Sequence, residues 1–590
     1  MLSFLLLTVC AARAYAALFE SPTSELLNTT YDFIIIGAGA GGAVMANRLT
    51  EDAGTKVLLI EAGGSDFMNQ NISAPGLSST LTHSKFDWNF TTTPQVGLNN
   101  RTVAYPRGFV LGGSTATNQM IFCRGTKDDW NRFANVSGDD GWSWENLIPF
   151  IFKVDNMTAP TDGHNTTGQF NPTIHNTSGV VDISVPGVSL AIDSRGLNAS
   201  QELSQEFPFN LDYNSGDTIG FSWTQSTIHN GRRVTSATSY LTQAFNRSNL
   251  DILVNTRVTK LVPVGNYSGK PDMRGVQFAQ SANGTVYTMQ AAKEVILSAG
   301  SVKSPHILML SGIGDASHLA LFNITSLVDL PVIGTNLQDH VFLGNPWTVN
   351  ANFTLDDVHR NATLAAEQLA LWQANGTGFF GLPPTNQFNW LRTNSSVFSS
   401  LNTTDPSAGP TSANFELIIS DNFASKRVAL PATGRFVSMV TNVISPTSRG
   451  NISLASADPF DAPLVNPNLL GTDVDVAIMR SAIQAARNFM AAPAWADYII
   501  SEFGAFGEAQ TDDELDAYIH DQSDTVDHPI GTIPMGTDGA LEANLTLKGT
   551  VGLRVVDASA FPFIPSGHTQ GPTYILAERA ASLVRATLSN

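Results

Sequence analysis

The stretch TVDHPIGTIPMG, twelve residues beginning at Thr525, sets His528 between an acid, Asp527, and a stiff, glycine-bearing apolar run. An imidazole has an unperturbed pKa of about 6.5, so it can take a proton near neutrality without much tuning. One of eleven histidines could equally be a satisfied core residue, so the surrounding elements must decide. Two other chemistries fall away. GGSTA, Gly112 to Ala116, nearly spells a G-x-S-x-G nucleophile elbow, and Asp557 and His568 follow in hydrolase order. Its final Ala and the lack of a clear preceding strand argue against a hydrolase. Metal binding lacks a ligand set: there is no H-E-x-x-H, the histidines are scattered, and Cys123 is the only cysteine beyond the leader.

The element that would position a cofactor beside such a histidine lies at the other end of the chain. YDFIIIGAGAGGAVMANRLTEDAGTKVLLIEAGG reads as strand, glycine turn, helix and second strand. Gly37, Gly39 and Gly42 fit G-x-G-x-x-G: the first permits the tight turn, the second lets backbone approach a pyrophosphate, and the third lets helix and strand pack closely. The helix amino terminus then offers unpaired N–H groups to phosphate. Glu61, ending the strand KVLLIE, is placed to accept hydrogen bonds from an adenosine ribose. This combination predicts a dinucleotide site but does not separate FAD from NAD.

Bulk properties bound the rest. MLSFLLLTVCAARAYA, residues 1–16, has the apolar core and small-x-small ending of a secretory leader, and about twenty Asn-x-Ser/Thr sequons, among them Asn28, Asn71, Asn89, Asn165, Asn283 and Asn544, fit an exported glycoprotein. No other stretch nears the roughly 18 apolar residues of a membrane helix. With a single cysteine left, no internal disulfide is possible, and stability must come from a large core; at 42% hydrophobic residues the chain can bury one. A net charge of −19 argues against nucleic acid or an anionic membrane as partner. TDDE, Thr511 to Glu514, reads as a capping box opening the helix that leads toward His528.

Three further segments settle the cofactor: PRGFVLGGSTATNQM from Pro106, GSVKSPHILMLSGIG from Gly300 after the strand KEVILSA, and LRVVDASAFPFIPSGHTQGPTYILAERAA from Leu553. With them the chain resembles the glucose-methanol-choline (GMC) oxidoreductases, a flavoenzyme family, from Tyr31 to the carboxyl terminus. Ser304-Pro305, Ser311 to Gly314 and NLQDH ending at His340 match further family stretches. Within the family it is most similar to fungal aryl-alcohol oxidases, on FDWNFTTTPQ, AYPRG, LSAGS, SGIGD, GHTQGP and AWADYII.

The resemblance implies a cofactor set and a pair of catalytic residues. Gly37, Gly39, Gly42 and Glu61 hold the adenosine diphosphate half of FAD. Gly112, Gly113 and Asn118 lie on the loop covering the isoalloxazine, and Val258 contacts the adenine through its backbone. Asp557 and Ala558 approach the pyrophosphate. Thr569, Gln570 and the residues up to Pro572 bring a helix amino terminus near the flavin ring, where its dipole favours the anionic reduced form. Thr117 stands where some members carry the histidine covalently linked to the cofactor, so the FAD is expected to be non-covalent. His528 is the implied general base and His568 the group that bonds the substrate oxygen, with the roles open to exchange. His340 is expected to be buried and structural.

Where aryl-alcohol oxidases narrow their channel with aromatic rings, ungapped comparison puts Gln119, Ala424 and Asp527, predicting a wider, more polar entrance. If close to His528, Asp527 would also raise that histidine's pKa. The expected fold is α/β with an α+β insert: a Rossmann-like FAD domain from 31–105, 225–345 and 525–590, and a substrate domain from 106–224 and 346–524. The function implied is a secreted, monomeric, FAD-dependent alcohol oxidase that makes an aldehyde and passes electrons to O2, giving H2O2. A quinone-dependent dehydrogenase of the same fold is the alternative, and a hydroxynitrile lyase the more distant one.

Overall fold

A computed structural model describes residues 15–65 and 69–588; all but the last two residues of the expected leader lie outside them. The predicted strand Tyr31–Ile36 is buried along almost its whole length and lies inside an eight-stranded sheet, parallel to Val57–Ile60 on one side and to Tyr287–Leu297 on the other. Leu250–Leu253, Ala17–Phe19 and Leu553–Val555 extend the parallel part, and the antiparallel pair Gly275–Ala279 and Arg257–Val262 closes one side. Strands buried on both faces need continuous apolar runs, which FIII and VLLI supply.

The helix Ala40–Leu49 follows Gly37, whose φ of +93° and contact with Ser298 leave no room for a side chain. At Gly42 a Cβ would meet the Gly37 carbonyl oxygen at 1.9 Å, so helix and turn pack backbone to backbone. The carboxy-terminal helix Gln570–Leu588 lies against this helix. Arg48 crosses to the fully buried Glu578 at 2.7 Å, and the Tyr240 hydroxyl donates to the same carboxylate. Removing one partner of such a pair typically costs about 3–5 kcal/mol, because the other charge is then stranded.

The second sheet has seven strands, all antiparallel, with the central order Val341–Val349, Phe436–Val443, Phe415–Ser420, Gln387–Leu391. The period of two decides what each face does. Phe415, Leu417 and Ile419 join Val437, Met439 and Val443 in a core under the helix Asp473–Met490. Ile418, Ser420, Val440, Asn442 and Phe342, on the opposite face, line an internal cavity instead. TDDE forms the predicted capping box: Thr511 opens the helix Asp512–Gln522, which delivers the chain to the short strand Asp524–Thr525 beside Val341–Phe342.

Two expected boundaries differ from this architecture. The one near 345 falls inside Val341–Val349, which belongs wholly to the second sheet. The segment from 106 does not pack with that sheet alone: Trp130, Phe133, Leu147 and Ile151 enter the first core, and the helix Trp144–Val154 contacts Gln570–Leu588. These amphipathic helices carry no sequence mark of which core they cover.

Candidate active site

Between the sheets lies a cavity of about 980 Å³. It is lined by Gly37, Gly39, Glu61, Gly113, Asn118, Val258, Asp557, Ala558, Thr569 and Gln570, and also by His528 and His568. Parts read from opposite ends of the chain thus meet around one volume. Gly42 is withdrawn from it as a packing residue, and Gly112 supports the wall through a φ of +103°.

The cavity suits a dinucleotide. No side chain caps the helix Ala40–Leu49, and Gly39, its first residue's neighbour, meets only Gly113 Cα at 3.9 Å where a Cβ would stand. That leaves bare backbone amides facing the cavity, the arrangement a pyrophosphate needs. Glu61 accepts the Ala38 and Gly63 amides at 2.8 and 2.9 Å; burial pushes its carboxyl up to about 7, with no cation beside it among the causes, so ribose hydroxyls would be welcome donors. Asp557 spends its carboxylate internally, accepting from the Gly300 amide and the Ser304 hydroxyl at 2.8 and 2.6 Å. It therefore offers backbone to the cavity and anchors the helix Gly300–Leu310. Asn118 donates to Gln570 at 2.6 Å, tying the glycine loop to the start of the final helix.

His528 is placed by hydrogen bonds that NLQDH supplies. Val526 donates to the His340 carbonyl, the Asp527 amide to the Thr525 hydroxyl, and the His528 amide to Asp339 Oδ1 at 2.7 Å. Asp339 also accepts from Tyr105 and Thr525, and burial pushes its carboxyl up to about 6. Asp527 takes a φ of +69°, unusual for a non-glycine residue, which turns the chain so that His528 faces the cavity.

The two candidate rings meet edge to face, centroids 5.0 Å apart. His340 is buried, as expected, but it is no bystander: its Nδ1 is 2.9 Å from Nδ1 of His528. Burial, then His568, His340, Arg107 and Lys426, push the His528 imidazole well below the usual histidine range. His340 is pushed down to about 3 by burial and His568.

The expectation that Asp527, if close, would raise the His528 pKa is outweighed: the net direction is downward. Its carboxylate turns to Lys426 at 2.8 Å, and loss of water around His528 outweighs what remains of its field. Gln119, Ala424 and Asp527 do line the cavity, and Gln119 accepts from Ser78 at 3.0 Å. The cavity is nevertheless not stripped of rings, since Phe342, Phe379, Phe380 and Phe423 line it from other positions. Sequence reading missed Glu416, which faces His568 Nε2 at 3.1 Å, as well as Lys426 and Arg107, whose guanidinium donates to the Asp527 carbonyl. The alternation of FELIIS marks Glu416 as facing away from Phe415 and Leu417, but nothing local says toward what.

The GMC oxidoreductase family models match residues 31–342 and 446–577. The chain belongs to the GMC oxidoreductase family. As a GMC oxidoreductase it binds FAD and acts on CH–OH groups. It is 38% identical to the dehydrogenase eriK of Hericium erinaceus, over 97% of this chain and 96% of that one. It is 34% identical to a pyranose dehydrogenase of Agaricus campestris, with 96% of each covered. A solved fungal aryl-alcohol oxidase superposes with a TM-score of 0.82 over 96% of this chain and all of the other; at 24% identity that likeness is one of fold. Among the described residues no helix is long and apolar enough to cross a membrane.

Proposed function

We propose that this enzyme oxidises a hydroxyl carbon of a polar, polyhydroxylated alcohol to a carbonyl, with a quinone-type acceptor favoured over O2. The observation that carries it is the pair His528–His568, edge to face on the wall of the cavity that bears the dinucleotide fingerprint. Bound FAD supplies the hydride acceptor. His528, kept neutral by its surroundings, takes the hydroxyl proton as the hydride departs, and His568 hydrogen-bonds the oxygen on which charge develops. Asp339 and His340 hold the base in place. Thr117 lines the cavity without the imidazole needed for a covalent cofactor link, which supports non-covalent binding.

The polar substrate class is supported by Gln119, Asn442, Lys426 and Asp527 on the cavity wall, and by relatives named as pyranose dehydrogenases. The dehydrogenase names also favour a non-oxygen acceptor. An aryl or allylic alcohol passed to O2 is the second reading, favoured by Phe342, Phe379, Phe380 and Phe423 in the lining. The leader and sequons support export, and a monomer is the expected form.

Anaerobic mixing of the holoenzyme with sugars and with benzylic alcohols tests this. Sugars should bleach the flavin faster, and benzoquinone should restore its colour faster than air. His528→Ala should abolish bleaching by every alcohol. Undiminished bleaching in that variant overturns the site assignment; benzylic preference with rapid reoxidation by air selects the second reading.

A further inference from the structure

We propose that Arg233 is a positioning residue for the redox step: held behind Asn118 as a buried, unpaired cation, it offsets the negative charge that FAD takes up on reduction and so raises the cofactor's reduction potential. The inference rests on the reading that the flavin ring lies beside Asn118 and Gln570 in the site above, and goes beyond it.

The stretch IHNGRRV turns on Asn230-Gly231, whose φ values of +50° and +67° pair His229 with Arg232 and Ile228 with Arg233. Left-handed residues at both central positions make the tight hairpin whose twist suits its strands. Neighbouring strand residues face opposite ways, so Arg232 lies outside over the Trp372 ring and Arg233, 4% exposed, lies inside. There Nε donates to the Ile72 carbonyl at 2.8 Å, and Nη1 donates to the carbonyl and Oδ1 of Asn118 at 2.6 and 2.8 Å. Asn118 in turn donates to Gln570, two residues beyond His568.

Charge sets this arginine apart. Among the described residues four arginines are buried: Arg124 meets Asp155, Arg554 meets Glu294 and Arg579 meets Asp139, but Arg233 has neutral partners only. Burial, with no carboxylate to offset it, pulls its guanidinium down to about 9, so the group stays charged at neutral pH and at a cost. Among the described residues its Nη2 has no hydrogen-bond partner. Arg233 also lines a void of about 20 Å³ with Ile72, Leu111, Ala116 and Thr235, room for one water but not for an anion of carboxylate size.

The complement to this charge must therefore come from beyond Asn118. The pyrophosphate is provided for elsewhere, by the bare amides that open the helix Ala40–Leu49. Asn118 is tied instead to Gln570, at the start of the helix that follows His568. Hydride arrival adds two electrons and one proton to the ring, so the reduced ring is anionic unless a second proton follows. A fixed cation buried at low dielectric favours that state over the neutral oxidised one, and it is in place before the electrons come.

The test is the midpoint potential of the flavin in Arg233→Met, Arg233→Gln and Arg233→Lys holoenzymes, measured by equilibration with reference dyes. Loss of the charge in the Met and Gln variants should make reduction about 10- to 100-fold less favourable, a midpoint lower by about 30–60 mV. Arg233→Lys keeps the charge and should stay within about threefold of wild type, about 15 mV. A variant that purifies without flavin is titrated anaerobically with oxidised and with dithionite-reduced FAD, followed by tryptophan fluorescence. For the Met and Gln variants affinity should fall about tenfold or more further for the reduced cofactor than for the oxidised one, the same free energy read by linkage. Equal losses for both forms would assign the charge to the pyrophosphate or to packing and overturn the proposal. So would an unmoved potential in the Met and Gln variants, or a Lys variant as low as Met, which would make the fork geometry at Asn118 matter and the charge not. None of these readings uses an alcohol, so the base assignment is judged apart: alcohol bleaching in His528→Ala sinks that assignment and leaves the potentials to decide on Arg233.

Discussion

His340 and His528 share a hydrogen bond between their Nδ1 atoms, 2.9 Å apart. With both rings neutral, one nitrogen must carry the proton and the other the lone pair. If His528 donates, its Nε2 is left as the free acceptor that proton abstraction requires, and His340 would then select the useful tautomer of the proposed base. A residue that composition alone marks as core packing thus touches the proposed base directly.

His340→Ala should therefore slow flavin reduction by about 10- to 100-fold, by analogy with the loss seen when orienting partners of metal-bound imidazoles are removed. His340→Asn, whose amide oxygen can accept from His528 Nδ1, should recover part of the loss. Anaerobic rapid mixing measures both; two variants with wild-type rates would show that the contact is packing only.

Gly42 tests the cofactor turn. Its added Cβ would meet the Gly37 carbonyl oxygen at 1.9 Å, a distance neither helix nor turn can relieve without moving the amides that face the cavity. Gly42→Ala should purify with flavin content reduced about tenfold or more, read from the ratio of visible to ultraviolet absorbance, and with a lower melting temperature. Full flavin occupancy would mean the turn is softer than its packing implies.

Much of this was legible beforehand, for a physical reason: the fingerprint, the candidate ribose acid and both candidate histidines lie on short segments whose local geometry is dictated by glycines, strand ends and helix starts. Gly37 takes a positive φ, and Glu61 directly follows a strand, Val57–Ile60, whose partner is close in sequence. What was illegible depends on partners a hundred or more residues away. Lys426 captures Asp527, and Glu416 reaches His568 only because two sheets close on one cavity. A pKa is set by all neighbours together, so the place of Asp527 beside His528 did not decide the direction of the shift.

Asp421 carries a prediction about stability. It is 4% exposed, and burial, followed by Asp356, Asp193 and Asp357, pushes its carboxyl up to about 8. The ordinary value is about 3.9, so between pH ~4 and ~8 the folded chain holds a proton the unfolded chain has released, and stability falls as pH rises across that window. Asp421→Asn mimics the protonated form. It should raise the melting temperature by about 2–4 °C at pH 9 and leave it nearly unchanged at pH 4. Equal shifts at both pH values would point to packing instead of ionisation.

Asp527 remains the residue where channel and base meet, and the structure separates its two possible effects. Its salt bridge with Lys426, whose side chain is 37% exposed, is worth at most about 1 kcal/mol, so Asp527→Asn should barely alter stability. Because burial and neighbouring cations, rather than this carboxylate, set the state of His528, the pH dependence of flavin reduction should also stay within about 0.3 unit of wild type. What should change is recognition: Lys426 is released into the channel, and KM for a polar alcohol should move about three- to tenfold. Asp527→Phe adds a ring where Phe342, Phe379, Phe380 and Phe423 already contribute apolar surface, and should raise kcat/KM for benzylic alcohols relative to sugars. A panel of kcat/KM values across pH decides it: an acid limb displaced by a full unit in Asp527→Asn would restore the carboxylate as the tuner of His528, whereas altered selectivity on an unchanged limb assigns it to the channel alone.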